Sequence, residues 1–471
     1  MACAIGITAV SAFGQPSTSV EGAWNGEIEL PGVPLKTTVR LSQVDGGKWS
    51  GQIDIPQQGA KAVALTDVSV APPNISFRIA GIPGDPAFRL VLSEDSRSMS
   101  GTLTQGGGTI PVTLRRGDAP PVAKAAPRRP QTPVPPMPYL EENVTFRNEG
   151  ADLQLAGTLT LPRAERRVAA VLLITGSGQQ DRDQTLFGHK PFWVWADHLT
   201  RQGVAVLRVD DRGVGGSGRG SRSPTSLDFA TDVRAGLDYL RRRPEIDPDR
   251  IGLIGHSEGA ILAVMVAAGS PAPAFIVMLA GTGVPGDQIL YSQAASVFKA
   301  QGASDEAIAW DRSIRERVFA ILKAEAEGKP NAAAREKLLE EIGAAKPVAA
   351  GAPDGATARK LANALFSAAQ PWLQFFLAFD PRPSLMKVRC PVLAIGGDRD
   401  VQVPARENLA EIERALRAGG NKEVTTAELP GLNHLLQASV TGMPGEYATI
   451  EETISPAVLK LVSDWIAKRV S

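Results

Sequence analysis

Residues 251–259 read IGLIGHSEG, an apolar strand pattern that runs directly into the motif G-x-S-x-G. An apolar helical stretch continues from Gly259, so Ser257 is predicted to lie on a tight turn between a strand and a helix. Glycine two positions either side of the serine leaves space for that turn, which holds the hydroxyl clear of the backbone. The alternative is an ordinary turn with an exposed serine. The context on both sides favours Ser257 as a nucleophile.

The chain around this motif alternates continuous apolar runs with helical stretches such as Pro224–Arg243 and Gly259–Ala268. The apolar runs are Val168–Thr175, Val204–Val209, Ile251–Gly255, Phe275–Ala280 and Pro391–Ile395. Buried strands separated by helices predict an α/β domain with a mostly parallel sheet covered on both faces. Between Asp287 and Pro371 the strand pattern stops and apolar residues recur at helical spacing. We therefore expect two core parts, 139–286 and 371–471, interrupted by a helical cap at 287–370.

Residues 20–117 show the period-two alternation of antiparallel strands, as in Leu35–Ser42. This pattern predicts a small all-β domain, either a sandwich or a lipocalin-like barrel. The segment contains no histidine and no cysteine, so it has little with which to do chemistry. Residues 118–138 carry eight prolines and no apolar periodicity, which predicts a semi-rigid linker.

The composition excludes several classes of partner. Lys+Arg and Asp+Glu are equal at 50 each, so the chain lacks the basic surface that nucleic acid or an anionic membrane requires. No apolar run approaches the roughly 20 residues of a membrane span. The two cysteines, Cys3 and Cys390, cannot build a disulfide framework or a thiolate metal site. We expect no metal and no cofactor, and Cys390 is expected to be a small apolar core residue.

The first residues predict export. Residues 2–13 are apolar and uncharged, and small residues follow at the positions that a signal peptidase recognises. The stretch 1–14 resembles the latter half of a secretory signal peptide, without its basic beginning, and places the protein in the periplasm or outside the cell. The alternative is a disordered, weakly apolar N-terminus.

A serine nucleophile needs a base, and the chain offers only four histidines. His189 and His198 precede the serine, whereas hydrolases with this motif order their residues nucleophile, acid, base. His256 occupies the variable position inside the motif. By elimination, His434 is the predicted base, just after the predicted strand 423–429.

The acid must follow a strand between the nucleophile and the base, and it fixes the tautomer of the histidine. Both Asp398 and Asp400 follow the strand pattern that ends at Gly396, so strand position leaves the two open. Two backbone N–H donors must also bind the oxyanion. One is expected from Glu258, and the other from the loop TGSG (175–178), where Ser177 is the predicted donor. The alternative for this loop is a glycine-rich turn used only for its geometry.

Five stretches together carry a resemblance to a known family. They are ITGSGQQDRD (174–183), VDDRGVGGSG (209–218), GHSEGA (255–260), PWLQFFLAFDP (371–381) and LPGLNH (429–434). From about Asn143 to Val470 the chain resembles bacterial carboxylesterases of the EstD type, near the serine aminopeptidase-like branch of the α/β-hydrolases. The resemblance implies the α/β-hydrolase fold, with Ser257 as nucleophile, His434 as base and Asp400 as acid, because Asp400 fits the pattern G-x-x-D-x-x-V-P. It also implies that the N-terminal β-domain has no chemistry of its own.

A reach argument also favours Asp400. The acid must extend beyond its strand to His434, and two further residues move a carboxylate outward by about 3.3 Å each. The expected reaction is hydrolysis of small to medium carboxylic esters through an acyl-enzyme, with a small-molecule ester as the partner. An aminopeptidase or thioesterase with the same residues is the main alternative, because fold and triad do not fix the leaving group. A non-catalytic ligand-binding protein is a third.

Overall fold

The computed structural model describes most of the chain from residue 20 onward. The described ranges are 20–28, 35–44, 47–55, 60–79, 86–105, 108–117, 128–300, 302–329, 331–345, 354–367 and 371–470. The predicted signal peptide, residues 1–14, lies outside them, as does the first part of the predicted linker. The rest of that linker, 128–138, contains neither helix nor strand.

Eight antiparallel strands form a closed barrel in which each strand pairs with the next and the last pairs with the first. The strands are β1 (Gly22–Ile28), β2 (Leu35–Val44), β3 (Lys48–Ile55), β4 (Ala60–Ala71), β5 (Asn74–Ile79), β6 (Ala87–Leu92), β7 (Ser98–Gln105) and β8 (Gly108–Gly117). The all-β prediction is confirmed, and of its two alternatives the barrel is found. Closure leaves no unpaired sheet edge. Large side chains occupy the interior: Trp24 is fully buried, and Phe77 stacks on Phe88 with ring centroids 4.7 Å apart.

The second sheet has eight strands in the order β16-β15-β14-β13-β11-β12-β10-β9. Its strands are β9 (Leu140–Asn148), β10 (Leu153–Leu161), β11 (Val168–Ile174), β12 (Ala205–Val209), β13 (Ile246–His256), β14 (Phe275–Leu279), β15 (Val392–Gly397) and β16 (Val424–Leu429). Only β10 pairs antiparallel with its neighbours β9 and β12, and all other pairs are parallel. The predicted mostly parallel sheet is confirmed. The continuous apolar runs arise because both faces of these strands are covered.

Eleven α-helices accompany this sheet in the described part of the chain. They are α1 (Pro191–Arg201), α2 (Ser226–Arg241), α3 (Glu258–Ala267), α4 (Gly286–Ala300), α5 (Asp305–Ala326), α6 (Ala332–Ala344), α7 (Gly355–Ser367), α8 (Pro371–Ala378), α9 (Arg382–Leu385), α10 (Ala405–Ala418) and α11 (Pro456–Val470). Apolar residues of α2, α3 and α10 cover one face of the sheet, and those of α1 and α11 cover the other. None of the described helices is both long and apolar enough to cross a membrane.

Helices α4 to α9 fill the interval between β14 and β15, where the strand pattern stops. Ile314, Val318 and Leu322 of α5, spaced at one helical turn, point into a separate apolar core shared with α4, α6 and α7. Tyr291 of α4 stacks on Phe319 of α5 in this core, with ring centroids 5.3 Å apart. The insertion is thus a packed helical unit with its own interior.

The carboxyl ends of the neighbouring parallel strands meet at one edge of the sheet. The residue pairs at this edge are Ile174–Gly255, His256–Leu279, Leu279–Ile395 and Gly397–Leu429. The loops after β11, β13, β15 and β16 leave from this edge and carry Ser177, Ser257, Asp400 and His434, and Glu258 begins the helix directly after Ser257. Parallel sheets place ligands beyond this end of their strands.

Candidate active site

Ser257 stands alone between β13, which ends at His256, and α3, which begins at Glu258. Its backbone has φ 55° and ψ −117°, a conformation that residues with a Cβ rarely adopt. Its N–H donates to the carbonyl of Leu279 at 2.9 Å, which ties the turn to β14. No described residue hydrogen-bonds the Ser257 hydroxyl. Strain of this kind persists only where the surroundings enforce it, and it marks functional sites.

The two glycines of the motif are required by close backbone contacts. A Cβ on Gly255 would lie 2.1 Å from the carbonyl oxygen of Gly259. A Cβ on Gly259 would lie 2.2 Å from the carbonyl oxygen of Ile174, at the end of β11. Both distances are far inside van der Waals contact. The turn therefore forms only because the backbones of β11, β13 and α3 approach one another without side chains between them.

Asp400 and His434 come together at the same edge. His434 Nδ1 lies 2.7 Å from Asp400 Oδ2, and both side chains are buried. The other carboxylate oxygen, Oδ1, accepts the N–H groups of Gln402 and Val403, each at 2.8 Å. Because a carboxylate accepts at Nδ1, that nitrogen carries the proton of a neutral ring and Nε2 keeps its lone pair. The arrangement suits His434 to act as a base.

Asp398 lies elsewhere on this turn. It is exposed, and its Oδ1 accepts the N–H of Gly431 at 2.7 Å. Strand position does not choose between Asp398 and Asp400, but only Asp400 is placed beside His434. Asp398 instead links the turn after β15 to the turn after β16.

His256 is the residue whose part in this site we did not foresee. Its ring lies 4.8 Å from the ring of His434, and its Nε2 lies 2.9 Å from the carbonyl oxygen of His434. Gln184 Nε2 donates to its other nitrogen at 2.8 Å. Burial, together with a smaller effect of the neighbouring His434, lowers the pKa of His256 to about 3. A neutral His256 therefore donates from Nε2 and holds the backbone of His434. Its place at the variable position of the motif gives no sequence signal of this contact.

The two remaining histidines contact other parts of the chain. His198 is on α1 and contacts Ser463 of α11 at 3.2 Å. His189 is fully buried, and burial lowers its pKa to about 4. Within the described ranges, no group of three or more His, Cys, Asp or Glu side chains is placed to hold a metal ion.

The loop after β11 passes directly beside the serine. A Cβ on Gly176 would lie 3.4 Å from the Cβ of Ser257. Ser177, the predicted oxyanion donor, follows at an exposed position. Glu258, the other predicted donor, is the first residue of α3, and N–H groups in the first turn of a helix have no acceptor within it. Both predicted donors are thus on segments that flank Ser257.

Asp211, after β12, holds this loop at both ends. Its Oδ1 accepts the hydroxyl of Thr175 at 2.7 Å, and its Oδ2 accepts the N–H of Gln180 at 2.8 Å. Its own N–H donates back to the carbonyl of Gln180 at 3.1 Å. Part of Asp211 is accessible, yet it is surrounded densely enough that burial, with a smaller contribution from Glu258, raises its pKa to about 8. The stretch VDDRGVGGSG contains this residue but carries no signal of its contact with the loop.

The side chain of Glu258 forms a second buried contact below the site. Its Oε1 accepts the hydroxyl of Ser226 at 2.6 Å and the indole N–H of Trp372 at 2.8 Å. Burial raises the pKa of this carboxyl. Because Trp372 belongs to α8, the helical insertion is hydrogen-bonded to the residue that begins α3.

Comparison with known proteins identifies relatives. A family model described as the alpha/beta hydrolase family matches residues 171–450. Esterase EstD of Thermotoga maritima is 29% identical over 164 residues, 34% of this chain and 37% of that protein. The uncharacterized protein YfhR of Salmonella typhi is 29% identical over 126 residues, 26% of this chain and 39% of that protein. The chain thus spans less than half the length of either relative. An esterase of Pyrococcus furiosus aligns with a TM-score of 0.42 at 15% identity, covering 74% of this chain and 100% of its own.

Asp211→Asn is expected to flatten the pH dependence of stability. The pKa of Asp211 is raised from its ordinary 3.8 to about 8, so between these values the folded state binds a proton that the unfolded state releases. The wild-type protein should therefore lose stability as pH rises through this window, by at most about 1.4 kcal/mol per pH unit. Asparagine does not ionise, so the variant should gain stability relative to wild type across it. Urea unfolding at several pH values measures the difference.

Asp249→Asn, at an exposed carboxylate, is the matched control and should follow the wild-type curve. Glu258 remains in all three proteins, so beyond the loss of Asp211 itself only the coupling of Glu258 to Asp211 differs between them. Parallel curves for Asp211→Asn and wild type would show that Asp211 is ionised in the folded protein.

Proposed function

We propose that this chain, which belongs to the alpha/beta hydrolase family, hydrolyses carboxylic esters with Ser257 as nucleophile, His434 as base and Asp400 as acid. The observation that carries the proposal is the 2.7 Å hydrogen bond between His434 and Asp400, at the sheet edge that also holds Ser257 on its strained turn. The similarity to a protein named as an esterase supports the choice of substrate class.

Acylation is the first half of the reaction. His434 Nε2 takes the hydroxyl proton of Ser257 as Oγ bonds to the carbonyl carbon of the ester. The carbonyl oxygen becomes an oxyanion, and the N–H groups of Ser177 and Glu258 bind it. The C–O bond to the alcohol then breaks, the alcohol leaves with the proton from His434, and the acyl group stays on Ser257. Asp400 holds the ring of His434 and stabilises its protonated form.

Deacylation repeats these steps with water. His434 takes a proton from water, and the hydroxide attacks the acyl carbon to form a second oxyanion in the same pair of N–H groups. The bond to Ser257 Oγ breaks, the serine regains its proton from His434, and the carboxylic acid leaves. Every atom and proton is supplied by the ester, one water molecule and the side chains named.

The two rival functions predict different behaviour. An aminopeptidase or thioesterase would use the same residues on another leaving group. A ligand-binding protein would use the barrel, yet Trp24, Phe77 and Phe88 occupy the interior where a lipocalin-like ligand would bind. This packing favours the hydrolase domain as the functional part.

Export from the cytoplasm is the other part of the proposal, supported by the apolar and uncharged residues 2–13. Cys390 is compatible with an oxidising compartment, because burial raises the pKa of its thiol to about 12 and keeps it unreactive. Fractionation of producing cells should find the protein outside the cytoplasm and shortened at its N-terminus. Full-length protein confined to the cytosol would contradict export.

Ser257→Ala should abolish ester hydrolysis without unfolding the protein. Loss of the nucleophile is expected to lower kcat on p-nitrophenyl acyl esters by a factor on the order of 10⁶. The same panel should include aminoacyl-p-nitroanilides and acyl thioesters, which report the two alternative activities. Ser223→Ala, at an exposed serine, is the control and should keep wild-type rates. A folded Ser257→Ala protein that still turns over esters would end the proposal.

Asp400→Asn and Asp398→Asn should separate the two aspartates. An amide at residue 400 favours the wrong tautomer of His434, so kcat should fall by a factor on the order of 10³ to 10⁴. An amide at residue 398 still accepts the N–H of Gly431 and should change stability by about 1 kcal/mol or less, with turnover near wild type. Side-by-side kinetics on one short ester measure both. A normal rate for Asp400→Asn beside a collapsed rate for a folded Asp398→Asn would reverse the two roles.

A further inference from the structure

Residues 129–131, which precede β9, make an unusual set of contacts with the far end of the chain. The Arg129 guanidinium donates to the carbonyl oxygens of Ile450 and Phe187, each at 2.7 Å, and to that of Ala448 at 3.0 Å. All three acceptors are main-chain groups of loops. We call residues 129–131 the linker brace.

Gln131 completes the brace. Its Oε1 accepts the N–H groups of Thr453, at 2.5 Å, and of Ile454, at 3.0 Å. Its Nε2 donates to the carbonyl oxygen of Ile454 at 2.7 Å. The irregular stretch 447–454 thus obtains hydrogen bonds from Arg129 and Gln131 that a strand or helix would supply internally.

The braced stretch contacts the turn that holds Asp400. The hydroxyl of Tyr447 accepts the side-chain N–H of Gln402 at 2.8 Å, and the backbone N–H of Gln402 donates to Asp400 Oδ1, also at 2.8 Å. Gly442 lies against the same turn, because a Cβ there would stand 1.8 Å from the carbonyl oxygen of Arg399. Displacement of the stretch would therefore move the groups that orient the acid.

The same stretch contacts the segment that carries His434. Gln437 donates from Nε2 to the carbonyl oxygen of Glu452 at 2.9 Å, and its backbone N–H donates to Asn433 Oδ1 at 3.0 Å. The N–H of Ser455 donates to the carbonyl oxygen of Leu436 at 2.9 Å. His434 thus lies in a turn whose C-terminal side, at Leu436 and Gln437, is bonded to Glu452 and Ser455.

The barrel covers another side of the braced stretch. Ala448 is buried among the apolar residues of the barrel core, and the short 3₁₀ helix Pro444–Glu446 packs against β4. His189 lies between, with Nδ1 2.9 Å from the hydroxyl of Thr453 and Nε2 3.0 Å from the carbonyl oxygen of Tyr447. The stretch is therefore enclosed by the brace, the barrel and the hydrolase core.

We propose that Arg129 and Gln131 are positioning residues for His434 and Asp400, so that the N-terminal part of the chain completes the active site. The expected effect on turnover rests on the proposed function. The contacts of Arg129 and Gln131 do not depend on it. The brace acts through stretch 447–454 on the acid and base and makes no contact with substrate. The linker brace keeps the hydrogen bond between Asp400 and His434 aligned.

Arg129→Ala in the full chain tests this role against Arg128→Ala, a control at the adjacent, exposed arginine. If the His434 ring is held less firmly, kcat on a short p-nitrophenyl ester should fall by about 10- to 100-fold, because small misplacements of reacting groups slow the reaction strongly. KM should stay within about twofold, since the brace does not touch substrate. Gln131→Ala is the second variant and should act in the same direction, and it decides the matter if Arg129→Ala does not fold.

A measurement independent of turnover distinguishes this proposal from the proposed function. The proton on His434 Nδ1, bonded to Asp400, gives a far-downfield NMR resonance that His434→Ala identifies by its loss. This resonance should shift or broaden in Arg129→Ala and Gln131→Ala and stay unchanged in Arg128→Ala. A wild-type protein inactive on esters would refute the function while this signal still tests the brace. Folded brace variants with wild-type kcat and an unchanged resonance, even with a lower Tm, would overturn the proposal.

Discussion

The close approach of three backbones around Ser257 is the constraint on which the rest of the site depends. The carbonyl oxygen of Ile174 stands where a side chain on Gly259 would begin, and Gly259 stands where a side chain on Gly255 would begin. Parallel pairing of β11 with β13 places Ile174 beside Gly255, at the same end of the sheet. The strained turn is therefore imposed by the sheet and not by local conformational preference. The same pairing places the loop after β11 beside the serine. One geometric requirement thus positions Ser257 and the loop at 175–178 together.

Much of this architecture could be predicted from local sequence patterns, which depend only on residues close together in the chain. Continuous apolar runs predicted the parallel sheet, and the motif in its context predicted the turn at Ser257. With four histidines in the chain, order alone left His434 as the base. By contrast, Asp398 and Asp400 follow the same strand, and strand position cannot say which of them faces His434.

Other features depend on partners that only the folded chain brings together. Period-two alternation describes the strands of a sandwich and of a barrel equally well, since both have one buried face. The contact of His256 with the backbone of His434 joins residues 178 positions apart. The contacts of Asp211 with Thr175 and Gln180 likewise cross between two strand ends. Periodicity and motif spacing describe residues close together in sequence, so they cannot predict such contacts.

Asp211 and Glu258, two carboxyls near the site, illustrate a structural position that costs stability. Burial raises the pKa of both Asp211 and Glu258. The shift means that the charged form of each carboxyl is less stable in the folded protein than in water. An apolar residue in place of Asp211 would remove this desolvation cost. It would also leave the Thr175 hydroxyl and the N–H of Gln180 without their acceptor. The loop at 175–180, which carries the proposed oxyanion donor Ser177, would then be free to move. Oxyanion donors are effective only when they are fixed before the charge develops, so the proposed role of this loop would account for the unfavourable burial.

The position of His434 in the sheet explains why distant segments are needed to hold it. Ser257 follows β13, which has neighbours on both sides, and its turn is fixed by β11 and β14. His434 follows β16, which among the described strands is an edge strand paired only with β15. A loop beyond an edge strand has one flanking loop at most, so support on the open side must come from outside the sheet. In this chain Arg129 and Gln131 bond the stretch that holds that loop, and the barrel packs on it. The N-terminal part therefore supplies the support that the edge of the sheet lacks.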